Sequence, residues 1–241
     1  MANTHSIDFD LGSSEGADRA DTASLSITGD ISCEAWIKLD QLPSDATTNM
    51  RIISKFDGDA SKRSYLLQIL AADDKLQFVF SHDGSASSDA SMDTAFTSGD
   101  VGTWVHVAAT ADVSSGASGI LTYKNGALVA NSDGNSNSTA IHDNASKFGI
   151  GLGHDSDVAI RFFDGMIDEA RVWSDIRTAN EIAQSYRTEV GTGNNLQGYW
   201  KFNNNYLDSS GNGNTLTAVA TPTFPTDVPF TTGGSFLFNM I

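Results

Sequence analysis

A period of two runs through most of the apolar residues of this chain, and a strand is the structure in which every second side chain faces the same way. In the segment Ile31 to Leu39, the residues Ile31, Cys33, Ala35, Ile37 and Leu39 fall on one face and Ser32, Glu34, Trp36 and Lys38 on the other. Val105, Val107 and Ala109 oppose Trp104, His106 and Ala108 in the same way, and Ala170 and Val172 oppose Glu169, Arg171 and Trp173. Shorter alternations occur at Ser6 to Phe9 and Ser24 to Ile27. Further strands are predicted at Tyr65 to Leu70, Leu76 to Phe80, Gly119 to Lys124, Ala127 to Ala130, Lys147 to Gly151, Phe162 to Ile167 and Gln197 to Asn203. Strands with one apolar face bury it by packing sheet on sheet, which leaves a second, mixed aromatic and polar face outside.

The punctuation agrees. Asn125-Gly126 predicts a tight hairpin, because both central residues of a type I′ turn need positive φ. The one predicted helix runs from Thr178 to Tyr186, where Thr178 and Glu181 form a capping box and Ile182 and Tyr186 share a side. Ser81 to Ser91 and Asn131 to Ser138 are rich in Ser, Asp, Asn and Gly and read as surface loops with no packing of their own. A length of 241 residues fits one large sandwich, so a single domain over 1–241 is expected. Within it, 221–241 forms a C-terminal strand or an interaction tail: it holds three of the four prolines, then Phe236, Leu237, Phe238, Met240 and Ile241. Such an apolar end either packs back as a last strand or docks on a neighbour.

Charge narrows the partners. A formal net charge of −16 opposes binding to phosphate backbones and anionic membranes, so neither nucleic acid nor membrane is expected as a partner. Eighteen consecutive apolar residues occur nowhere, which argues against a spanning helix. Cys33 is the single cysteine and lies inside a strand pattern, so no intrachain disulfide can form. The first residues, MANTHSIDFD, lack the basic and apolar regions of a secretion signal.

Six ordered segments carry a family resemblance. FFDGMIDEARVWSDIRTANEIAQSY at Phe162 to Tyr186, CEAWIKLD at Cys33 to Asp40 and ISKFDGD at Ile53 to Asp59 are three of them. TWVHVAAT at Thr103 to Thr110, the LTYKNGALVA hairpin, and GYWKFNNNYLDSSGNGNTLT at Gly198 to Thr217 complete the set. Together, from about Ile7 to Thr217, the chain resembles the LamG-like members of the concanavalin A-like jelly rolls. The resemblance implies an all-β, two-sheet antiparallel jelly-roll sandwich. It implies also that the DSSGNGN loop meets the Asp of the closing strand around a structural calcium ion. On this sequence the implied ligands are Asp168, Asp208, Asn212 and Asn214, and calcium is the expected cofactor. Calcium takes about six to eight oxygens, which carboxylates, amides and carbonyls on tight turns supply. Asp168, out of phase with Glu169 and Arg171, is expected on the opposite side of its sheet. The alternative for the loop is an Asx turn in which Asp208 bonds its own backbone.

Other chemistry-bearing residues read as follows. Glu34, Trp36, Trp104, His106, Glu169, Arg171 and Trp173 gather on the mixed face. Sandwich glycosidases of the superfamily that the chain resembles carry Glu-x-Asp-x-x-Glu on one strand, which is missing here, since Asp164 to Glu169 has the wrong spacing and mixed facing. The expected role of this face is a buried network in which Arg171 pairs with Glu34 or Glu169 beneath the helix. Asp57-Gly58-Asp59 and Asp155-Ser156-Asp157 are solvated turns, a second calcium site or a sugar contact. His5, His82, His142 and His154 have no zinc-ligand spacing. Gly149 to Gly153 lacks the helix and Lys of a phosphate loop.

The function that follows is a calcium-stabilised, lectin-like, non-catalytic module recognising glycans or other cell-surface ligands. The alternative is a virion structural protein, a head decoration or tail appendage, whose jelly roll serves assembly with virion subunits, homo-oligomer formation or host adhesion. Either places the protein outside the cell or on a virion surface.

Overall fold

A computed structural model describes residues 3–59, 61–133, 140–193 and 195–231. Its strands in chain order are β1 Ile7–Phe9, β2 Gly16–Arg19, β3 Ile31–Leu39, β4 Met50–Phe56, β5 Arg63–Ile69, β6 Leu76–Ser81, β7 Ser87–Met92 and β8 Val105–Ala111. They continue as β9 Ile120–Lys124, β10 Ala127–Val129, β11 Asn131–Asp133, β12 Phe148–Ile150, β13 Gly153–Asp155, β14 Val158–Ile160, β15 Gly165–Trp173, β16 Leu196–Trp200 and β17 Thr217–Val219. The helices are α1, Pro43–Ala46, and α2, Ala179–Ser185. The first sheet has the order β1-β15-β3-β8-β9-β10, with β16 also on β15; the second has the order β11-β7-β6-β5-β4-β12-β2-β17. Strands β13 and β14 form a separate hairpin. The two antiparallel sheets make the sandwich that the alternation predicts, consistent with a jelly roll.

The core lies between the sheets, where Ile31, Cys33, Ala35, Ile37 and Leu39 of β3 face Ile53, Leu67, Ile69, Phe78 and Phe148 in one cluster. Trp200 is fully buried and stacks on Phe148 across the sandwich, with ring centroids 5.0 Å apart. Its indole nitrogen donates to the Asn214 carbonyl at 2.8 Å, so the ring is buried without a stranded donor.

Helix α2 closes the outer face of the first sheet. Ile182 packs on Ala108 and Tyr123, and Tyr186 stacks on Trp36 at 5.8 Å. The capping box is present, with Thr178 and Glu181 each accepting from the other's backbone N–H. The Asn125-Gly126 turn has φ values of 52° and 78°, as a type I′ hairpin demands. A Cβ at Gly126 would lie 2.7 Å from the Tyr186 ring, so this turn needs glycine for both backbone and space.

Several expectations need correction. Ser87–Met92 is a strand, with Ala90 and Met92 in the core beside the small, buried Ser88, while Ser87, Asp89 and Ser91 occupy the outward phase. Asn131–Asp133 pairs with it, while 134–138 of the predicted loop lie outside the described residues. Ser24 to Ile27 forms no strand, although Leu25 and Ile27 are buried. Strands at Gly16–Arg19 and Met50–Phe56 were not anticipated, and a one-turn helix α1 and a kinked 3-10 segment at Val113–Gly119 join α2. Of the tail, residues up to 231 are described: Thr223 bridges Asp8 of β1, and Asp227 accepts from Lys38 and Trp104. The apolar Phe236, Leu237, Phe238, Met240 and Ile241 lie outside the described residues. No described helix is long and apolar enough to cross a membrane.

Gly126→Ala is expected to destabilise the fold by at least about 1 kcal/mol, since it combines a strained positive φ with a clash. Urea unfolding of the two proteins measures this, and an unchanged midpoint would contradict the packing of Tyr186 over the turn.

Candidate functional site

Three groups of polar residues merit weighing as a site. The first is the mixed face beneath α2. Arg171 donates to Glu169 at 2.6 Å, to Glu34 at 3.2 Å and to the Thr188 carbonyl at 2.7 Å. Glu34 further accepts from Trp173 at 3.2 Å and pairs with His106 at 3.1 Å, and Tyr199 donates to Glu169. All are buried. Burial opposes the charge of Glu34, but Arg171, His106 and Trp173 outweigh it and hold its pKa at about 2. Burial pushes Glu169 the other way, above the usual carboxylate range, because one guanidinium cannot fully neutralise two acids and Glu189 adds a like charge. The same desolvation lowers His106, which favours neutral imidazole. This is the network expected of the mixed face, with Arg171 paired to both glutamates.

The second group holds the sequence-derived calcium ligands. Asp168 is fully buried, accepting from Asn3 at 2.7 Å and from the Glu169 N–H at 2.8 Å. Burial and the neighbouring Glu169 raise its pKa well above the usual carboxylate range. Its expected orientation is corrected: Asp168 pairs with Trp36 and Arg171 with Glu34, so all four lie on the same face. The register shifts between Asp168 and Arg171, where Glu169 has φ of 50°; a β-bulge there inverts the phase that simple alternation assigns. Asp208 accepts from the N–H groups of Tyr199, Ser210 and Asn214, all within 2.8–3.0 Å, and from the Ser210 hydroxyl. Asn212 donates to the Leu196 carbonyl, while Asn214 donates to Gln197 O and to the Ser24 hydroxyl. The loop residues thus come together along β16, and no hydrogen bond joins them to Asp168 among the described residues.

The third group is brought together by the β13–β14 hairpin. Carboxylate oxygens of Asp57, Asp59 and Asp155 lie within 4.8 Å of one another. Asp57, at the end of β4, is buried and forms a bridge with His154. It accepts from the N–H groups of Asp59, Ser156 and Asp157 at 3.0, 2.8 and 3.0 Å. Its burial opposes ionisation, yet these three N–H groups and Lys62 prevail and lower its pKa. Ser156 and Asp157 both have positive φ, giving the tight turn that returns Asp155 and Asp157 toward β4. A Cβ on Gly58 would stand 2.5 Å from Asp155, so glycine there lets the carboxylate approach. Lys62 is the counter-ion, 3.1 Å from Asp157, 3.7 Å from Asp59 and 3.9 Å from Asp57. It is partly exposed. Three converging carboxylates, a fourth beside them and, among the described residues, a single lysine as counter-ion make an all-oxygen donor set that fits a hard divalent ion. The sequence showed both acidic turns but no means of knowing that they face each other.

Residues 11–183 match the concanavalin A-like lectin/glucanases superfamily, and the chain belongs to it. No curated protein is matched by the sequence. Among solved structures, a candidate carbohydrate-binding protein of Bacteroides ovatus is similar with a TM-score of 0.64 and 21% identity, over 94% of this chain and 61% of that one. This chain therefore spans about three-fifths of that protein's length. The heptameric SAP-like pentraxin of Limulus polyphemus also gives 0.64, at 12% identity, over 94% and 97%. The binding domain of botulinum neurotoxin serotype G gives 0.51 at 13% identity, over 69% and 39%. At these identities the likeness is one of fold.

Arg171→Ala strands two buried acids and is expected to cost ~3 kcal/mol in urea unfolding. Glu34 supplies the pH signature. Its folded pKa of about 2 lies below the ordinary 4.5, so its stabilisation is complete above pH 4.5 and is lost as pH falls toward 2. The stability gap between the wild type and Glu34→Gln should therefore narrow over that window; a constant gap would contradict the pairing.

Proposed function

We propose that this protein is a non-catalytic, lectin-like module that binds glycans, stabilised by calcium held at Asp57, Asp59 and Asp155. The convergence of those three carboxylates carries the calcium reading. Calcium would be held by hard oxygens and would tie the end of β4 to the β13–β14 hairpin, with Lys62 displaced toward solvent. The glycan reading is supported by membership of a superfamily of lectins and glucanases and by the likeness to the Bacteroides carbohydrate-binding candidate. Against glycoside hydrolysis stands the state of the covered acids. A hydrolase needs two carboxyl groups facing the sugar, whereas Glu34 and Glu169 are engaged by Arg171, His106, Trp173 and Tyr199 beneath a helix.

The calcium set of Asp168, Asp208, Asn212 and Asn214 is a separate proposal, supported by the burial of Asp168 and by an amide-rich loop on β16. The same experiment separates the two. A ligand bound only by the native state stabilises it by roughly 2.7 kcal/mol at a hundredfold excess over Kd, so calcium should raise the melting temperature and a chelator lower it. Asp57→Asn and Asp59→Asn should remove the response if the hairpin set binds; Asp168→Asn should remove it if the other does. Identical melting curves with calcium and chelator would defeat both. A glycan array with wild-type protein in calcium tests the lectin reading, and release of reducing sugar would replace it with an enzyme.

A further inference from the structure

Arg51 is a buried cation with no acid beside it among the described residues. It lies on β4, where Met50, Ile52 and Ile53 face the core and Arg51, Ser54 and Phe56 face outward. Only 7% of its surface is exposed, and among the described residues no carboxylate lies within ion-pair distance. Nη1 reaches the Ser54 hydroxyl at 3.4 Å, and Nε is buried with no hydrogen-bond partner among the described residues. Buried charges are ordinarily paired, because an unpaired one forfeits hydration and gains nothing in return. Burial, and then the like charge of Arg161, push the pKa of Arg51 down to about 9, so it remains charged at neutral pH at the protein's expense.

The surroundings complete a binding surface. Arg51 and Arg63 both lie over the Phe56 ring, 5.4 and 5.8 Å from its centroid, and among the described residues Arg63 also forms no ion pair. Three of the chain's seven arginines thus share this region in a protein of net charge −16. Directly across the ladder from Arg51 is Gln68, followed by Gln77 and Ser91 on the next two strands. They form an outward polar row over β4, β5, β6 and β7. Gln68 donates to Gln77 at 2.7 Å, while its Oε1 is buried and unpartnered. An orphan cationic donor and an orphan acceptor in adjacent register suit a ligand that carries both an anionic group and hydroxyls.

We infer that the outward row of the second sheet centred on Arg51 binds a carboxylate-bearing saccharide, the guanidinium taking the carboxylate and Gln68 and Gln77 the ring hydroxyls. Arginine matches a carboxylate with two parallel N–H donors. This rests on the lectin reading and names its ligand class.

The test is isothermal titration, in calcium, with a panel of uronate- and sialate-containing oligosaccharides, each paired with its neutral methyl ester. Wild-type protein is expected to bind at least one acid form about tenfold or more tighter than its ester, the scale of one charge-assisted hydrogen bond. Arg51→Met, which keeps the stem and loses the charge, should abolish that preference with no loss of thermal stability. Equal binding of acid and ester across the panel, or a preference that survives in Arg51→Met, overturns the inference. Where neutral glycans bind equally well, the lectin reading stands and the carboxylate assignment falls. Where no glycan of either kind binds, both fall.

Discussion

One guanidinium fixes the arrangement of the helix-covered face. Arg171 sits on β15 and reaches Glu34 on β3, Glu169 on its own strand, the Tyr199 ring on β16 at 4.9 Å, the Ser185 carbonyl at the end of α2 and the Thr188 carbonyl beyond it. A charge removed from water must recover its solvation from neighbours, so each of these elements has one position in which the group is satisfied. The helix is therefore held by charge-assisted bonds as well as by Ile182 and Tyr186. The two acids are shifted in opposite senses: Glu34 collects the cation, the imidazole and the indole, which hold its pKa down, while burial raises that of Glu169 against the pull of Arg171 and Tyr199.

The bulge in β15 makes that arrangement possible. Ile167, Ala170 and Val172 all belong to the core, yet Ile167 and Val172 are five residues apart. In an uninterrupted strand an odd separation places two residues on opposite faces, so one of them would face outward. A one-residue slip, with Glu169 at positive φ, lets all three point inward and turns Asp168, Glu169 and Arg171 outward together. Without it, the phase set by Val172 would drive the Asp168 carboxylate into the apolar layer. The slip also falls where the free edge of β15 changes partner, from β1 at Ile167 to β16 at Ala170.

Alternation, capping and the Asn-Gly turn were legible because each depends on residues near one another in sequence. Hence β3, β8, the β9–β10 hairpin and α2 appear where the pattern places them. The same reasoning lost Asp168, since counting by two presumes a regular strand, although the conflict between Ile167 and Val172 was visible in the sequence and signals a bulge. It lost Ser87–Met92 because Ser and Asp on an outward face look like a loop. It did not place Asp57 beside Asp155, about a hundred residues apart, because that contact depends on the β13–β14 hairpin returning to the end of β4. Arg51 carried no signal beyond being a charge within an apolar run.

The two outer faces therefore divide the polar residues by fate. Beneath α2 the charges meet one another and are spent on cohesion. On the second sheet the pairing is incomplete: Asp18 meets His154 and Lys147, and Lys62 serves Asp57, Asp59 and Asp157, but among the described residues neither Arg51 nor Arg63 has an acid within ion-pair distance. Direct pairing is blocked by geometry, because the Asp57 oxygens are fixed by three backbone N–H groups of the hairpin while the Arg51 stem lies under Gly153. Unlike charges kept apart on one surface leave part of their solvation unrecovered. A cation at the hairpin and a carboxylate at Arg51 would each recover it locally.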